Sequence, residues 1–118
     1  MALRAGDVVV MNFPGVTGIK RRPAVVLSSA EYHASRPDVV IGLITSQTAA
    51  ALAPTDSALK DWKEAGLRKA SAFRSFLATL PRSAQLRVIG HLSDRDWQAV
   101  QARVSQALEL GNAETTRG

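Results

Sequence analysis

The hydrophobic positions along this chain change period once, and the change divides it into a run of strands followed by one helix. Val8, Val9, Val10 and Met11 make the first unbroken apolar run; Ala24, Val25, Val26 and Leu27 make the second. Short continuous runs rich in valine predict strands covered on both faces, here over 8–13 and 24–27. A third run, Val39-Val40-Ile41-Gly42-Leu43-Ile44, predicts a strand with a bulge or sharp bend at its glycine. Residues 56–59 and 70–74 are weaker strand candidates with a helical turn over 61–65 between them. Segments 77–80 and 87–90 complete the sheet, and 30–37 reads as a polar loop.

After residue 92 the period becomes helical. Ser93 followed three residues later by Asp96 predicts a capping box, in which each side chain satisfies a backbone N–H of the first turn. Leu92 and Trp97 have the spacing of a hydrophobic staple. Trp97, Val100, Val104 and Leu108 then form one apolar stripe, and Gly111 is the expected stop. Such a stripe is core packing, so Trp97 is assigned no chemistry. Many short strands closed by one C-terminal helix predict a mainly β, α+β domain: a small bent antiparallel sheet or barrel over 1–111, with 112–118 as a flexible tail.

Composition narrows the function. The 118 residues suffice for one domain, and 46% hydrophobic with 21% charged residues is ordinary for a globular chain. Cysteine is absent, which removes disulfides and thiolate metal sites. The N-terminus shows no secretory pattern and no apolar run reaches membrane length, so a cytoplasmic protein is expected. Fifteen Lys and Arg against ten Asp and Glu give a charge of +5, favouring an anionic partner. That excess is local. Residues 60–90 hold seven basic side chains against two acidic ones, and residues 1–37 hold five against two.

The sharpest candidate chemistry comes from pairing the second and third strands. In an antiparallel hairpin, partners share a constant number sum. Setting Ser28 against Val39 leaves 30–37 as the loop and sets Arg22, at the start of one strand, against Thr45 at the end of the other. Such a pair can grip phosphate; the same positions also suit an exposed arginine before a proline and an ordinary strand-end threonine.

The segments Gly6-Asp7-Val8-Val9-Val10-Met11-Asn12-Phe13-Pro14, Arg22-Pro23-Ala24-Val25-Val26-Leu27-Ser28 and Ile44-Thr45-Ser46, with the closing helix, resemble the PemK/MazF toxins, bacterial endoribonucleases of type II toxin–antitoxin pairs. The resemblance covers most of the chain. It implies the SH3-like, CcdB/MazF type of bent sheet, and Arg22 and Thr45 as the catalytic pair. It implies cleavage of single-stranded RNA through the substrate's own 2′-hydroxyl, with no metal and no cofactor. Arg22 would stabilise the charge on the phosphorane through its donor fork, and Thr45 would orient the phosphate. Lys20, Arg21, Ser46, Lys69, Ser71 and Arg74 are the expected RNA-binding residues, Ser71 lying in a segment similar to the family's Lys/Arg-Pro-Ser strand. A homodimer and an acidic antitoxin are the implied partners, the latter lying across a groove that holds Lys20, Arg21, Arg22 and strand 69–74. The chain departs from the family in its 15–21 loop and its 75–78 segment.

Two rivals share parts of this pattern. CcdB-type topoisomerase poisons have the same fold class but rely on a C-terminal aromatic residue, and this chain ends in Thr116-Arg117-Gly118. A decayed toxin would keep binding of RNA or antitoxin without cleavage. Other signals are weak. His33 and His91 have no sequence feature that links them as an acid–base pair. Trp62 and Phe76 are assigned to packing ahead of base stacking.

Overall fold

The computed structural model describes residues 2–15, 18–47, 52–81 and 84–111. Eight elements follow in order: β1 Asp7–Gly15, β2 Gly18–Val26, α1 Ala30–Ser35, β3 Asp38–Thr45, β4 Ser57–Ala58, β5 Ala72–Pro81, β6 Arg87–His91 and α2 Asp94–Leu108. The strands form one antiparallel sheet in the order β4-β5-β3-β2-β1-β6. It curls as a half-barrel with the C-terminal helix packed against it.

Both faces of the sheet are covered, which is why its central strands are unbroken apolar runs. On one face Val8, Val25, Ile44, Phe73 and Leu92 pack with Val100 of α2 and with Leu59 and Ala65 of the connecting segment. On the other, Val9, Met11, Ala24, Val26, Val39 and Ile41 form a second cluster that β5 and β6 close through Ala78, Leu80 and Val88. Neighbours in a strand point to opposite faces, so Val25 joins one cluster while Ala24 and Val26 join the other. Phe73 and Met11 are fully buried, and each such side chain is worth about 1.5–3 kcal/mol removed from water.

The bulge expected at Gly42 is present. Gly42 pairs with Leu77, yet Ile44 pairs with Phe73, so β5 carries two extra residues there. A Cβ on Gly42 would lie 2.4 Å from the Phe73 ring, and the missing side chain makes room for that aromatic. The two strands expected over 70–74 and 77–80 are therefore one bulged strand, β5. The loop expected over 30–37 contains α1, a helix too short to show a period. Its cap is Ser29, whose hydroxyl accepts from the Tyr32 N–H at 3.1 Å.

Helix α2 starts where expected but by half of the expected device. Ser93 accepts from the Asp96 N–H at 3.3 Å. The Asp96 carboxylate, instead of turning back to Ser93, accepts from the backbone N–H groups of Lys60 at 3.0 Å and Asp61 at 2.8 Å. It is buried, and it ties the 60–66 turns to the start of the helix. Ser93 and Arg95 both donate to Asp61, the arginine through two bonds of 2.7 Å. The helix ends on Glu109, a left-handed residue at φ 56°, with the Leu110 N–H bonded to the Ser105 carbonyl. The stop expected at Gly111 thus falls two residues earlier. Leu108 is more than half exposed, so the buried stripe ends at Val104. The tail expected over 112–118 lies outside the described residues.

Candidate functional site

Strand β2 overhangs its neighbour β3. It runs from Gly18 to Val26, yet its ladder with β3 holds only Ala24↔Leu43, Val25↔Gly42 and Val26↔Ile41. Every pair sums to 67, the register expected from the sequence. Pro23 brings no N–H to a ladder, and the β2–β3 pairing ends at the residue after it. Carried two residues further, the register sets Arg22 against Thr45 beyond the last bonded pair. Residues 18–22 are exposed, held as strand by pairing with β1 alone. Thr45 ends its strand in a turn where its Oγ1 accepts the Gln47 N–H at 3.1 Å. That bond fixes the oxygen and leaves the hydroxyl proton to be donated.

Alternation then sorts the expected residues onto two faces. Arg22 shares a face with Ala24, and Thr45 with Leu43; both neighbours belong to the cluster closed by β5 and β6. Lys20 follows on that face. Arg21 and Ser46 turn the other way, into a cleft of about 550 Å³ that also takes in Lys69 and Ser71. Its apolar floor is Val10, Pro23, Leu67 and Ile89, and two further cations, Arg68 and Arg87, line it. Arg74 is outside this cleft and reaches toward the Asp56 carboxylate at 4.0 Å. The cleft therefore brings Arg21, Ser46, Lys69 and Ser71 together, while strand alternation assigns Arg22 and Thr45 to the other face.

Two close approaches build the cleft wall. Gly66 lies against the backbone of β6, where a Cβ would meet the Ile89 carbonyl oxygen at 2.3 Å. It also sits at φ +89°, a conformation that glycine adopts readily. On the strand side, a Cβ on Gly90 would meet the Ala65 carbonyl oxygen at 2.1 Å. The segment carrying Arg68 and Lys69 is thereby pressed onto the strand carrying Arg87. At the mouth, Arg21 donates from Nη1 to Asn12 Oδ1 at 3.1 Å, and Asn12 donates to Gln85 Oε1 at 3.3 Å. Three strands share this line, β2 through Arg21, β1 through Asn12 and the entry to β6 through Gln85.

The ion pairs among the described residues all lie outside the cleft. Arg4, Arg36, Arg74 and Arg95 each pair with an aspartate. The Arg95 fork, helped by the Ser93 hydroxyl, holds the Asp61 carboxyl down at about 2. The Tyr32 hydroxyl, with Arg36, keeps Asp38 below the usual carboxylate range. Among the described residues, Lys20, Arg22, Arg68, Lys69 and Arg87 have no ion-pair partner, and no carboxylate lines the cleft. A set of cations left uncompensated in this way favours an anion.

The sequence reading missed Arg68, Arg87, Asn12 and Gln85 as members of the site. Arg68 and Arg87 were visible only as part of the basic excess over 60–90; the contact of the 65–66 turn with β6 gives them a place. The two histidines stay apart. His33 is buried, bonded to Ser28 Oγ at 2.6 Å and to the Leu3 carbonyl at 3.0 Å. His91 bonds Asp7 at 2.9 Å. Trp62 packs against the helix-side cluster, while Phe76 is more than half exposed. Among the described residues, no three His, Cys, Asp or Glu side chains come together as a metal site. No described helix is long and apolar enough to cross a membrane.

The family model of PemK-like, MazF-like toxins of type II toxin–antitoxin systems matches residues 4–108. None of the curated protein sequences compared with the chain matches it. Among solved structures, a MazE–MazF crystal structure from Deinococcus radiodurans is similar at TM-score 0.76 and 23% identity, over 92% of this chain and 98% of that one. An endoribonuclease in complex with its cognate antitoxin, from a mycobacterial species, is similar at TM-score 0.76 and 18% identity, covering 94% and 99%. The Mycobacterium tuberculosis toxin MazF-mt6 is similar at TM-score 0.66 and 21% identity, covering 87% and 98%.

Proposed function

This chain belongs to the family of PemK-like, MazF-like toxins of type II toxin–antitoxin systems, and we propose that it is a metal-independent endoribonuclease acting on single-stranded RNA, messenger RNA in particular. The observation that supports this most directly is the β2–β3 register, which carried past its last pair aligns Arg22 with Thr45, near cations that no described carboxylate neutralises. The attacking group is the 2′-hydroxyl next to the scissile phosphate. Its oxygen bonds to phosphorus, the P–O5′ bond breaks, and the products are a 2′,3′-cyclic phosphate and a 5′-hydroxyl. The 2′-hydroxyl loses one proton and the 5′-oxygen gains one, so the step needs no other reactant.

Each residue then has a role set by its chemistry. The Arg22 guanidinium meets the two non-bridging oxygens with a planar fork and stabilises the charge that grows on them. It is not the base, because it does not give up its proton in a protein. Thr45, its oxygen held by the Gln47 N–H, donates a hydrogen bond to the phosphate. Lys20, on the face of Arg22, and Arg21, Ser46, Lys69 and Ser71 in the cleft hold the flanking strand; Arg74 does so from its exposed edge.

The partners follow from the same surface. A cognate antitoxin with an acidic segment would neutralise these cations, and a two-fold homodimer is the common assembly for a small domain. The cytoplasm, where messenger RNA and antitoxin would meet, is the proposed location. The chemistry is tested with a defined single-stranded RNA and purified protein. Cleavage persists in EDTA, and it stops when the 2′-hydroxyl at the cut nucleotide is replaced by hydrogen. A requirement for a divalent metal, or equal cutting of the matching DNA, overturns the proposal.

A further inference from the structure

Phe76 is 54% exposed in a strand whose other aromatic, Phe73, is fully buried. A phenylalanine ring left in water forgoes the burial that packing would give it. The ladder shows how it comes to be there. Ile44 pairs with Phe73 and Gly42 with Leu77, so residues 74–76 of β5 stand against the single residue Leu43. Two extra residues leave the alternation in phase, and Phe76 falls on the face of Ala78 and Leu80. Those two, with Leu43, pack against the cluster that holds Ala24.

Alternation assigns Arg22 and Thr45 to this same face, two residues beyond Ala24 and Leu43. The bulge thus sets Phe76 beside Leu43, about 7 Å along β3 from Thr45, a step that a neighbouring nucleotide can span. Lys20 and Arg22, on this face, have no ion-pair partner among the described residues. The other described aromatic side chains are engaged elsewhere. Trp62 and Trp97 pack against the helix-side cluster, and the Tyr32 hydroxyl donates to Asp38. Phe76 also lies in the 75–78 segment, where the chain departs from the family.

We propose that Phe76 is a base-stacking residue, which takes the base of a nucleotide next to the one whose phosphate Arg22 and Thr45 hold. The proposal rests on the ribonuclease reading above, and it replaces the packing role that the sequence led us to expect for this ring. Every base has a π-face, so stacking here strengthens RNA binding with little choice of sequence. Phe76 carries no charge, so its contribution to binding is separable from that of the cations.

The test crosses changes in the protein with changes in a defined single-stranded RNA. The protein is wild type, Phe76→Ala, Phe76→Leu or Phe76→Tyr, with fold verified by thermal melts and assembly by sedimentation. The RNA is intact or abasic at one position beside the cut, and a 2′-deoxy cut nucleotide keeps it whole while binding is measured over a salt series. Phe76→Ala and Phe76→Leu are expected to weaken binding of the intact RNA by about 5- to 150-fold. Their slope of log affinity against log salt stays at the wild-type value, because no phosphate contact is lost. Phe76→Tyr, which keeps a flat ring, keeps the affinity. On the RNA lacking the stacked base, wild type falls to the level of Phe76→Leu, and that variant loses nothing further. Wild-type affinity in Phe76→Leu, or a loss that persists on every abasic RNA, overturns the proposal. A shallower salt slope does the same, and a changed oligomeric state assigns the ring to contact between copies instead. Cleavage of unmodified RNA by wild type separates the two readings: if it cuts and the binding cycle fails, only the stacking role falls. If it does not cut, both fall.

Discussion

Gly90 and Ala65 are packed so closely that a Cβ on the glycine would lie 2.1 Å from the alanine carbonyl oxygen and 2.5 Å from its carbonyl carbon. Both neighbouring atoms are backbone, so neither can rotate away. Gly90→Ala therefore has to move the 60–66 turns off β6. The cost expected for such overpacking is about 1–3 kcal/mol, visible as a lower melting temperature. The same shift moves Arg68 and Lys69 away from Arg87. RNA affinity is expected to fall further than the loss of folded protein explains, measured on the folded fraction at low temperature. A variant with wild-type stability and affinity would show that the turn and strand are not in this contact.

Arg22→Ala is the direct test of catalysis. The residue is exposed and lacks an ion-pair partner among the described residues, so the fold is expected to persist. Loss of a donor aimed at developing charge lowers kcat by about a hundredfold or more. Arg22→Lys is expected to recover little, because a point charge does not replace a planar fork. Thr45→Val should lose rate for want of the hydroxyl, and Thr45→Ser should keep most of it. Wild-type turnover in Arg22→Ala would remove Arg22 from the mechanism.

The Asp61 carboxyl gives a pH signature of stability. Its pKa is lowered to about 2, chiefly by the Arg95 hydrogen bonds and then by Ser93, from an ordinary 3.8. A carboxylate with a depressed folded-state pKa stabilises fully above its unfolded value and loses that contribution as pH falls through the folded one. The contribution is thus constant at neutral pH and fades between about pH 4 and pH 2. Comparing melting temperatures of wild type and Asp61→Asn over this range reads it directly: wild type is more stable at neutral pH, and the gap closes on acidification. A gap that widens below pH 4 would contradict the Asp61–Arg95 pairing.

Much of this arrangement was legible in the sequence, for identifiable reasons. The β2–β3 register followed from setting Ser28 against Val39, which leaves 30–37 as the connection and fixes the constant sum that the ladder shows. Gly42 announced its bulge because a glycine inside such a run has few other uses. Helix α2 was marked by Ser93 and by its stripe. The division of Lys20, Arg21 and Arg22 between two faces was missed because 15–21 was expected as a loop; residues 18–22 are strand only through β1, and exposed strand carries no apolar alternation. Asp96 looked like a capping partner, yet its carboxylate serves Lys60 and Asp61, a contact 35 residues away along the chain that local spacing cannot reveal. The helix stops at Glu109, two residues before the expected Gly111, with the Schellman bond from Leu110 to Ser105 closing it without a glycine. The cleft itself depends on the 65–66 turn touching β6, and no periodicity encodes that.

The last prediction concerns competition at the strand end. An antitoxin segment that is acidic and poorly ordered when free would meet the same cations that grip RNA, on both faces: Lys20 and Arg22 on one, Arg21, Lys69 and Arg87 on the other. Ordering such a segment costs conformational entropy, which apolar contacts along the cleft floor of Pro23, Leu67 and Ile89 can offset. RNA binding rests more heavily on charge alone. Raising salt is therefore expected to weaken RNA binding more steeply than antitoxin binding, because each released phosphate contact frees counterions. Reversing Lys20 and Arg21 to Glu together alters both faces and should weaken both ligands. In a titration of antitoxin peptide into the protein–RNA complex, RNA is expected to leave as peptide binds. A stable ternary complex with RNA still held at Arg22 would show that the two ligands use separate surfaces. A strict monomer at micromolar concentration would remove the proposed dimer.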